Sequence, residues 1–356
     1  MRKSIDKIAT TTFLITTLLL GLGNGSFSQD IHFSQFNMAP LAINPALAGA
    51  FNGDQRVILN YRDQWKSIGA PYKTFALSAD ARMLGKKLNN GALGVGLFIF
   101  NDKSGDLQMG LTQATIALSG LIKLNEHNNV SAGLQGGYAQ RTINTDKMIW
   151  DSQFDGTSYN SNLPTGEKDN FDSFGFADLS TGLAWSYSSN ASTISSKDEF
   201  RARAGIALFH VNRPKQKFLG STMDKLHSKY TAHASLYIGT GTVLSLIPSV
   251  IYYRQGTLQE TNLGMLFRYT ITEESRFTNI IKETAVSIGG HYRFGDAIIP
   301  KLLIEYASYA IGISYDINLS PLKAATNAKG GIEISIKYVN PNPFKGRSTK
   351  SNVKFM

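Results

Sequence analysis

The six histidines, His32, His127, His210, His227, His233 and His291, are where chemistry would first be sought in this chain. A histidine acting as general base needs a nucleophile within reach and a third group to orient its ring. His233 with Ser235, and Ser287 with His291, sit at even spacings that place each pair on one face of a strand. Such pairs arise easily by chance in an alternating sequence, and no nucleophile–base–orienter set accompanies them. No H-E-x-x-H or comparable ligand spacing is present, which argues against a metal site. Gly94-Val95-Gly96 lies inside an alternating segment and opens no helix, so it is not a phosphate loop. The sequence therefore assigns no catalytic residue, cofactor or metal, and the protein is expected not to be an enzyme.

A second set of residues is charged and falls on the polar side of alternating segments: Arg201, Arg203, Arg268, Arg293, Asp178, Glu260, Glu305, Asp316, Glu333 and Lys337. Charges on a buried face are tolerated when paired, so these are expected to form an ion-pair lattice filling a largely occluded lumen; an open water channel would tolerate them as well. A third set is aromatic. Trp150, Phe154, Tyr159, Phe171 and Phe174 are interleaved with Asp146, Asp151, Asp155, Asp169 and Asp172 in the longest connection of the chain, Thr142 to Gly175. Aromatic anchors within a polar rim suit a protein-binding surface; the plainer reading is that the rings fold inward over a barrel mouth.

The elements that must position these residues are strands. In Asp178 to Tyr187, Ala310 to Asn318 and Gly331 to Tyr338, large apolar residues alternate with small or polar ones, the period of a strand with two unlike faces. About fourteen such segments begin near Gln55, Lys73, Gly91, Thr112, Asn129, Phe176, Phe200, Ser228, Thr242, Gln259, Thr284, Ile299, Tyr309 and Gly330. Each approaches the length of a tilted strand that crosses a bilayer, and an even count suits a single-chain bacterial barrel. Tyr61, Phe100, Tyr138, Trp185, Tyr187, Tyr269 and Tyr338 fall at segment ends, where interfacial girdles belong. The connections Asp63 to Tyr72, Asn101 to Leu111, Thr142 to Gly175 and Asn212 to Lys229 are expected to be the long outer loops. Gly133, Gly137, Gly182, Gly205, Gly289 and Gly312 fall on the inward face, where a missing side chain permits close approach. The fold class read from this pattern is all-β, a transmembrane antiparallel β-barrel.

Mean hydropathy of −0.14 and 42% hydrophobic residues do not contradict this, because alternation hides the membrane signal of a barrel. The formal charge of +10 reads as contact with anionic lipid headgroups and lumen arginines rather than nucleic acid. Met1, Arg2, Lys3 and Lys7 precede an apolar run over Ile8 to Leu22, followed by Asn24-Gly25-Ser26-Phe27-Ser28, the pattern of a secretory signal peptide over residues 1–28. The absence of cysteine removes any acceptor for an N-terminal lipid and any disulfide. Residues 29–54 lack clean alternation and are expected to enter the lumen as a plug; 55–339 form the barrel, and 340–356 a basic tail.

From Gln29 onward the chain resembles the PorP/SprF family of the type IX secretion system of Bacteroidetes. The likeness rests on Phe33-Ser34-Gln35-Phe36, Asn44-Pro45-Ala46, Ala48-Gly49, Arg56, Tyr61-Arg62, Gln64-Trp65, Asp80, Trp150-Asp151, His210-Val211-Asn212-Arg213-Pro214, Tyr292-Arg293, Asp296 to Pro300, Ser314-Tyr315-Asp316 and Glu333-Ile334-Ser335. Taken as physics, Asn44 to Gly49 is turn chemistry, Asn212-Arg213-Pro214 shapes the start of a loop, and Asp296 with Pro300 reads as a tight turn. The resemblance implies an outer-membrane barrel that supports secretion or surface attachment of large cell-surface proteins such as gliding adhesins. Its implied partners are outer-membrane lipid, a secreted protein with a C-terminal sorting domain, and periplasmic secretion components. The competing classes are a passive or gated channel of the fatty-acid-transporter kind and, second, an outer-membrane lipid enzyme.

Overall fold

The computed structural model describes residues 30–65, 71–85, 88, 90–105, 107–144, 148–166, 173–189, 199–216, 224–272, 282–321 and 323–340. The expected signal peptide, Phe171 and the tail beyond Asn340 lie outside the described residues.

Fourteen strands run antiparallel to their neighbours: β1 (Gln55–Gln64), β2 (Tyr72–Met83), β3 (Gly91–Ser104), β4 (Met109–Lys123), β5 (Asn128–Thr142), β6 (Phe174–Ser188), β7 (Phe200–Phe209), β8 (Lys229–Gly239), β9 (Leu244–Gln255), β10 (Leu258–Thr272), β11 (Thr284–Arg293), β12 (Ala297–Tyr306), β13 (Tyr309–Asn318) and β14 (Lys329–Asn340). The sheet closes where β1 pairs β14 from Gln55↔Asn340 to Gln64↔Gly331, so among the described residues the barrel sheet itself has no free edge. Every strand begins within three residues of the position its alternation suggests. The alternation is also read in burial. Along β13, Ile311, Ile313, Tyr315 and Ile317 are exposed on the outer surface, while Ala310, Ser314, Asp316 and Asn318 are buried inside.

Three expectations are corrected. Asn101 to Leu111 is not a long loop, because β3 and β4 pair as far as Ser104↔Met109 and leave only residues 105–108 between them. Phe100 is not in an interfacial girdle: it points inward with Phe98 and packs against Phe33 and Leu41. Pro300 lies within β12 rather than in the turn over 294–296, on the outer face. It pairs Gly290 of β11, but the β12–β13 ladder skips Ile299 and Pro300, since proline has no N–H to give. Pro248 interrupts the β8–β9 ladder in the same way.

Residues 30–54 run through the barrel interior. They form a 3-10 turn at Phe36–Met38, a one-turn helix α1 (Pro40–Ile43) and a second 3-10 turn at Pro45–Leu47. Asn44 starts that second turn by accepting the Ala46 N–H at 2.9 Å, with Pro45 supplying the fixed φ that follows. At one end Asp54 N donates to Asn340 O at 3.1 Å, beside the start of β1; at the other, Asp30 meets residues at the far ends of the strands. The segment buries Phe33, Phe36, Met38, Leu41, Ile43, Leu47 and Phe51, which form small cores with inward residues of the wall.

Candidate functional site

The inward faces of the strands carry the polar chemistry of the molecule, and most of it is directed at residues 30–54. The central cluster gathers at Ser34 and Gln35. The Glu333 carboxylate accepts two successive backbone N–H groups, Ser34 at 2.7 Å and Gln35 at 2.9 Å. Ser34 Oγ donates to Asp316 at 2.7 Å, and Arg293 Nη2 donates to Ser34 Oγ at 2.8 Å. Asp316 is held in turn by Arg62 at 3.1 Å and Arg293 at 3.2 Å, while Arg293 also meets Glu260 at 3.4 Å and Asp296 at 2.9 Å. Lys301 donates to Ser34 O and sits 5.1 Å over the Phe36 ring. Arg293 is 2% exposed and Glu333 1%, so unpaired charge here would be costly; the network supplies the pairing.

A second cluster fixes the chain before β1. Arg56 engages Asp80 through Nε at 2.9 Å and Nη2 at 2.8 Å, the bidentate geometry that guanidinium and carboxylate share. Asp80 also accepts the Gly49 N–H at 2.8 Å, and Arg82 and Arg203 donate to Gly49 O and Ala50 O at 3.0 Å. Gly49 has φ +66, and a Cβ there would stand 2.8 Å from the Gly94 Cα, so the glycine is required on both counts. A third cluster centres on Asn44, whose Nδ2 reaches Leu183 O at 2.9 Å, Ile206 O at 3.2 Å and His233 Nε2 at 3.2 Å. Ser131 and Ser119 donate to Ala46 O and Ala48 O at 2.8 and 2.6 Å. His32 approaches Glu260 at 3.5 Å, and Phe36 stacks edge-on against His291. Between them these contacts reach every one of the fourteen strands.

The tip of the segment forms the fourth cluster. Asp30 Oδ2 lies 2.5 Å from His210 Nε2 and 3.4 Å from Lys229 Nζ; Asp178 holds His210 Nδ1 at 2.8 Å, and Gln255 accepts the Asp30 N–H at 3.0 Å. Burial alone would lower the His210 ring, but the Asp30 and Asp178 carboxylates raise it to about 9. Burial would raise the Asp30 carboxyl, yet the charges of His210 and Lys229 hold it well below the usual carboxylate range.

Of the lumen charges read from sequence, Arg203, Arg293, Asp316 and Glu333 bind the segment. Arg268 pairs Glu305 at 2.6 Å and Glu283 at 2.7 Å, and Arg201 pairs Glu199 at 3.3 Å under a contact with the Tyr237 ring, so these three, Arg201, Arg268 and Glu305, brace the wall instead. Arg62, Lys301, Lys229 and His210 join these networks beyond the lumen charges read from sequence, each lying on, or just beyond, the polar face of its strand. His291 Nε2 meets Ser249 Oγ at 2.8 Å rather than Ser287, and His233 meets Asn44, so neither same-face pair is joined. Asn212 has a role that spacing could not show. Past the end of β7, its side chain accepts the Leu179 N–H at 3.2 Å and donates to Ala177 O at 2.7 Å, continuing the ladder along the edge of β6.

The long connection between β5 and β6 folds on itself over 148–166. Asp151–Gln153 make a 3-10 turn, Phe154 bridges Tyr159, and Asp155 accepts the N–H groups of Thr157 and Ser158 at 2.8 Å each. Ile149 (76%), Phe154 (56%) and Tyr159 (44%) are exposed, whereas Trp150 is half-buried. Phe174 is the first residue of β6, ring to ring with Phe176 at 6.3 Å.

A closed antiparallel barrel with exposed Leu, Ile and Tyr on its outer face and charge inside is the architecture of an outer-membrane protein. The family model for the type IX secretion system membrane protein PorP/SprF matches residues 25–338, and the chain belongs to that family. No curated protein matches. Among solved structures, the toluene transporter TbuX of Ralstonia pickettii is similar at TM-score 0.47 and 12% identity, covering 89% of this chain and 95% of that one. The P. putida toluene transporter TodX is similar at TM-score 0.41 and 12% identity, covering 84% and 92%. BamA from Haemophilus ducreyi lacking POTRA domains 1-3 is similar at TM-score 0.40 and 10% identity, covering 81% and 70%.

Proposed function

We propose that this protein is a non-enzymatic subunit that holds secreted proteins at the cell surface on behalf of type IX secretion, by docking rather than by conduction. The observation that carries this reading is the occupied lumen: residues 30–54 touch all fourteen strands through hydrogen bonds, a few ion pairs and apolar packing. Such a segment serves as a plug that makes the barrel a rigid platform. The 148–166 loop, with Ile149, Phe154 and Tyr159 outward, supplies the docking surface for a large secreted protein such as an adhesin carrying a C-terminal sorting domain. The turns at the opposite end meet the periplasmic secretion components. Deleting Asp155 to Lys168 tests this. The folded barrel is expected at normal level in the outer membrane, with the secreted partner lost from the surface; a fully displayed partner beside a normal barrel refutes the docking role of the loop. Liposomes containing the intact protein are expected not to conduct ions, and steady conductance would favour the channel reading instead.

A further inference from the structure

The outer wall of the barrel is apolar over its middle and charged at one rim. Among the charged residues of the fourteen strands, those that face outward are Asp63, Lys73, Lys103, Arg254 and Lys329. All lie at the end of the barrel that carries the 143–173 connection, the long-loop end that faces the cell exterior. At the opposite rim the outward strand residues include Tyr187, Tyr269, Tyr306 and Tyr309, and none of the described ones is charged.

We propose that Lys73 and Lys103 clamp the phosphate of an anionic lipid of the outer leaflet, whose acyl chains lie on the wall beneath. Three observations lead there. The β2–β3 register sets Lys73 directly opposite Lys103 on the outer face, where Cβ atoms are about 5 Å apart and like charges repel. An anion between them turns that repulsion into attraction. Neither ammonium is in an ion pair among the described residues: Asp63, beside Lys73 in the β1–β2 ladder, accepts the Tyr61 O–H at 3.5 Å instead. The wall below then changes character in the order of a lipid. One step toward the membrane middle, Asn101 donates to Thr112 at 2.7 Å with Gln140 opposite, offering amide and hydroxyl groups at the depth of an ester or sugar. Beyond them Phe75, Ile99 and Tyr138 surround Ala114, whose small side chain leaves a notch for a chain between Ile99 and Tyr138. Free phosphate is a poor occupant, because salt screens exposed charges; a lipid phosphate is held at this depth by the bilayer, and its chains add apolar contact. Arg254 has Tyr230 and Gln259 as its opposite neighbours, so it is a single cation and serves as a control. The inference is independent of the docking reading, since it concerns the lipid-facing wall alone.

The full protein, delipidated in non-ionic detergent at pH 7, is titrated by native mass spectrometry with dioleoylphosphatidic acid. Parallel titrations use dioleoylglycerol, which lacks the phosphate, and dioleoylphosphatidylcholine, in which the phosphate is neutralised within the headgroup. Each lysine near an anionic headgroup contributes about fivefold, so the phosphatidic acid is expected to bind about 25-fold more tightly than either control lipid. Lys73→Gln and Lys103→Gln are each expected to weaken it about fivefold and the double variant to abolish the preference, while Arg254→Gln changes it less than about twofold. Inorganic phosphate in large excess is expected not to displace the lipid. Equal binding of the three lipids to the native barrel overturns the proposal, and that comparison depends on no variant. Displacement by inorganic phosphate overturns the lipid as occupant. An Arg254→Gln loss as large as that of either lysine, in variants that all run as the compact heat-modifiable band, overturns the paired site in favour of general rim charge.

Discussion

Two glycines on one strand offer a sharp test of the occupied lumen. Gly133 and Gly137 both face inward on β5. A Cβ at Gly133 would stand 2.4 Å from Ala46 N and 2.5 Å from Pro45 C, both backbone atoms of the lumen segment. A Cβ at Gly137 would stand 2.1 Å from Ala114 O and 2.6 Å from Thr115 Cα, both in the neighbouring strand β4. Backbone cannot rotate out of the way, so each alanine forces a shift of about 1 Å to reach ordinary contact, and overpacking of this kind costs roughly 1–3 kcal/mol. The two costs have different origins. Removing residues 30–48 takes away the atoms that Gly133→Ala strikes but none of those that Gly137→Ala strikes. In the intact chain both variants are expected to lower the melting temperature of the heat-modifiable band on semi-native gels. In the truncated chain Gly137→Ala should keep its cost and Gly133→Ala should lose nearly all of it, a coupling of roughly 1–3 kcal/mol between Gly133 and the segment. Equal costs for Gly133→Ala in both backgrounds would refute the placement of Pro45 and Ala46 against β5.

Other consequences are as direct. Leu183→Arg puts charge on the outer face, beside exposed Leu179 and Trp185, and should cost roughly 2–4 kcal/mol and reduce assembled barrel, while Ala184→Ser on the inner face should be nearly silent; equal assembly of the two would reverse the face assignment of β6. Glu333→Ala strands two backbone N–H groups and the charge of Lys301, and should destabilise by about 3–5 kcal/mol in urea unfolding from lipid; a loss below about 1 kcal/mol would show that the central cluster is not binding the segment. His210 has its proton affinity raised from 6.5 to about 9, so its stabilisation of the tip is fully present below about 6.5 and lost as pH rises through about 9. Asp30, shifted down, adds stabilisation that is present above about 3.8 and lost only as pH falls through its lowered value. A spin label at Ile31→Cys should therefore be immobile at pH 6 and mobile at pH 10, with His210→Gln mobile at both; an immobile label at pH 10 would contradict the clasp.

The sequence by itself determined the strands, their number and their two faces. Side chains of a strand alternate strictly, and a barrel places one set in lipid and the other inside, so Ile311, Ile313 and Tyr315 against Gly312, Ser314 and Asp316 could be assigned without coordinates. The same parity put Arg203, Arg293, Asp316 and Glu333 in the lumen. What it could not give was the partner of each charge, because those partners are distant in sequence: Ser34 and Asp316 are 282 residues apart, Asn44 and His233 189. Nor could it separate Phe100, which alternation places inward, from aromatics that belong at an interface, since a ring suits either environment. The inward glycines were legible as a face, but only the tertiary structure showed that Gly133, Gly182 and Gly312 clear room for residues 30–54 whereas Gly137 and Gly289 clear room for neighbouring strands. Local spacing specifies a ladder; which backbone fills the space that the closed ladder encloses is decided by contacts that form only once all fourteen strands have met.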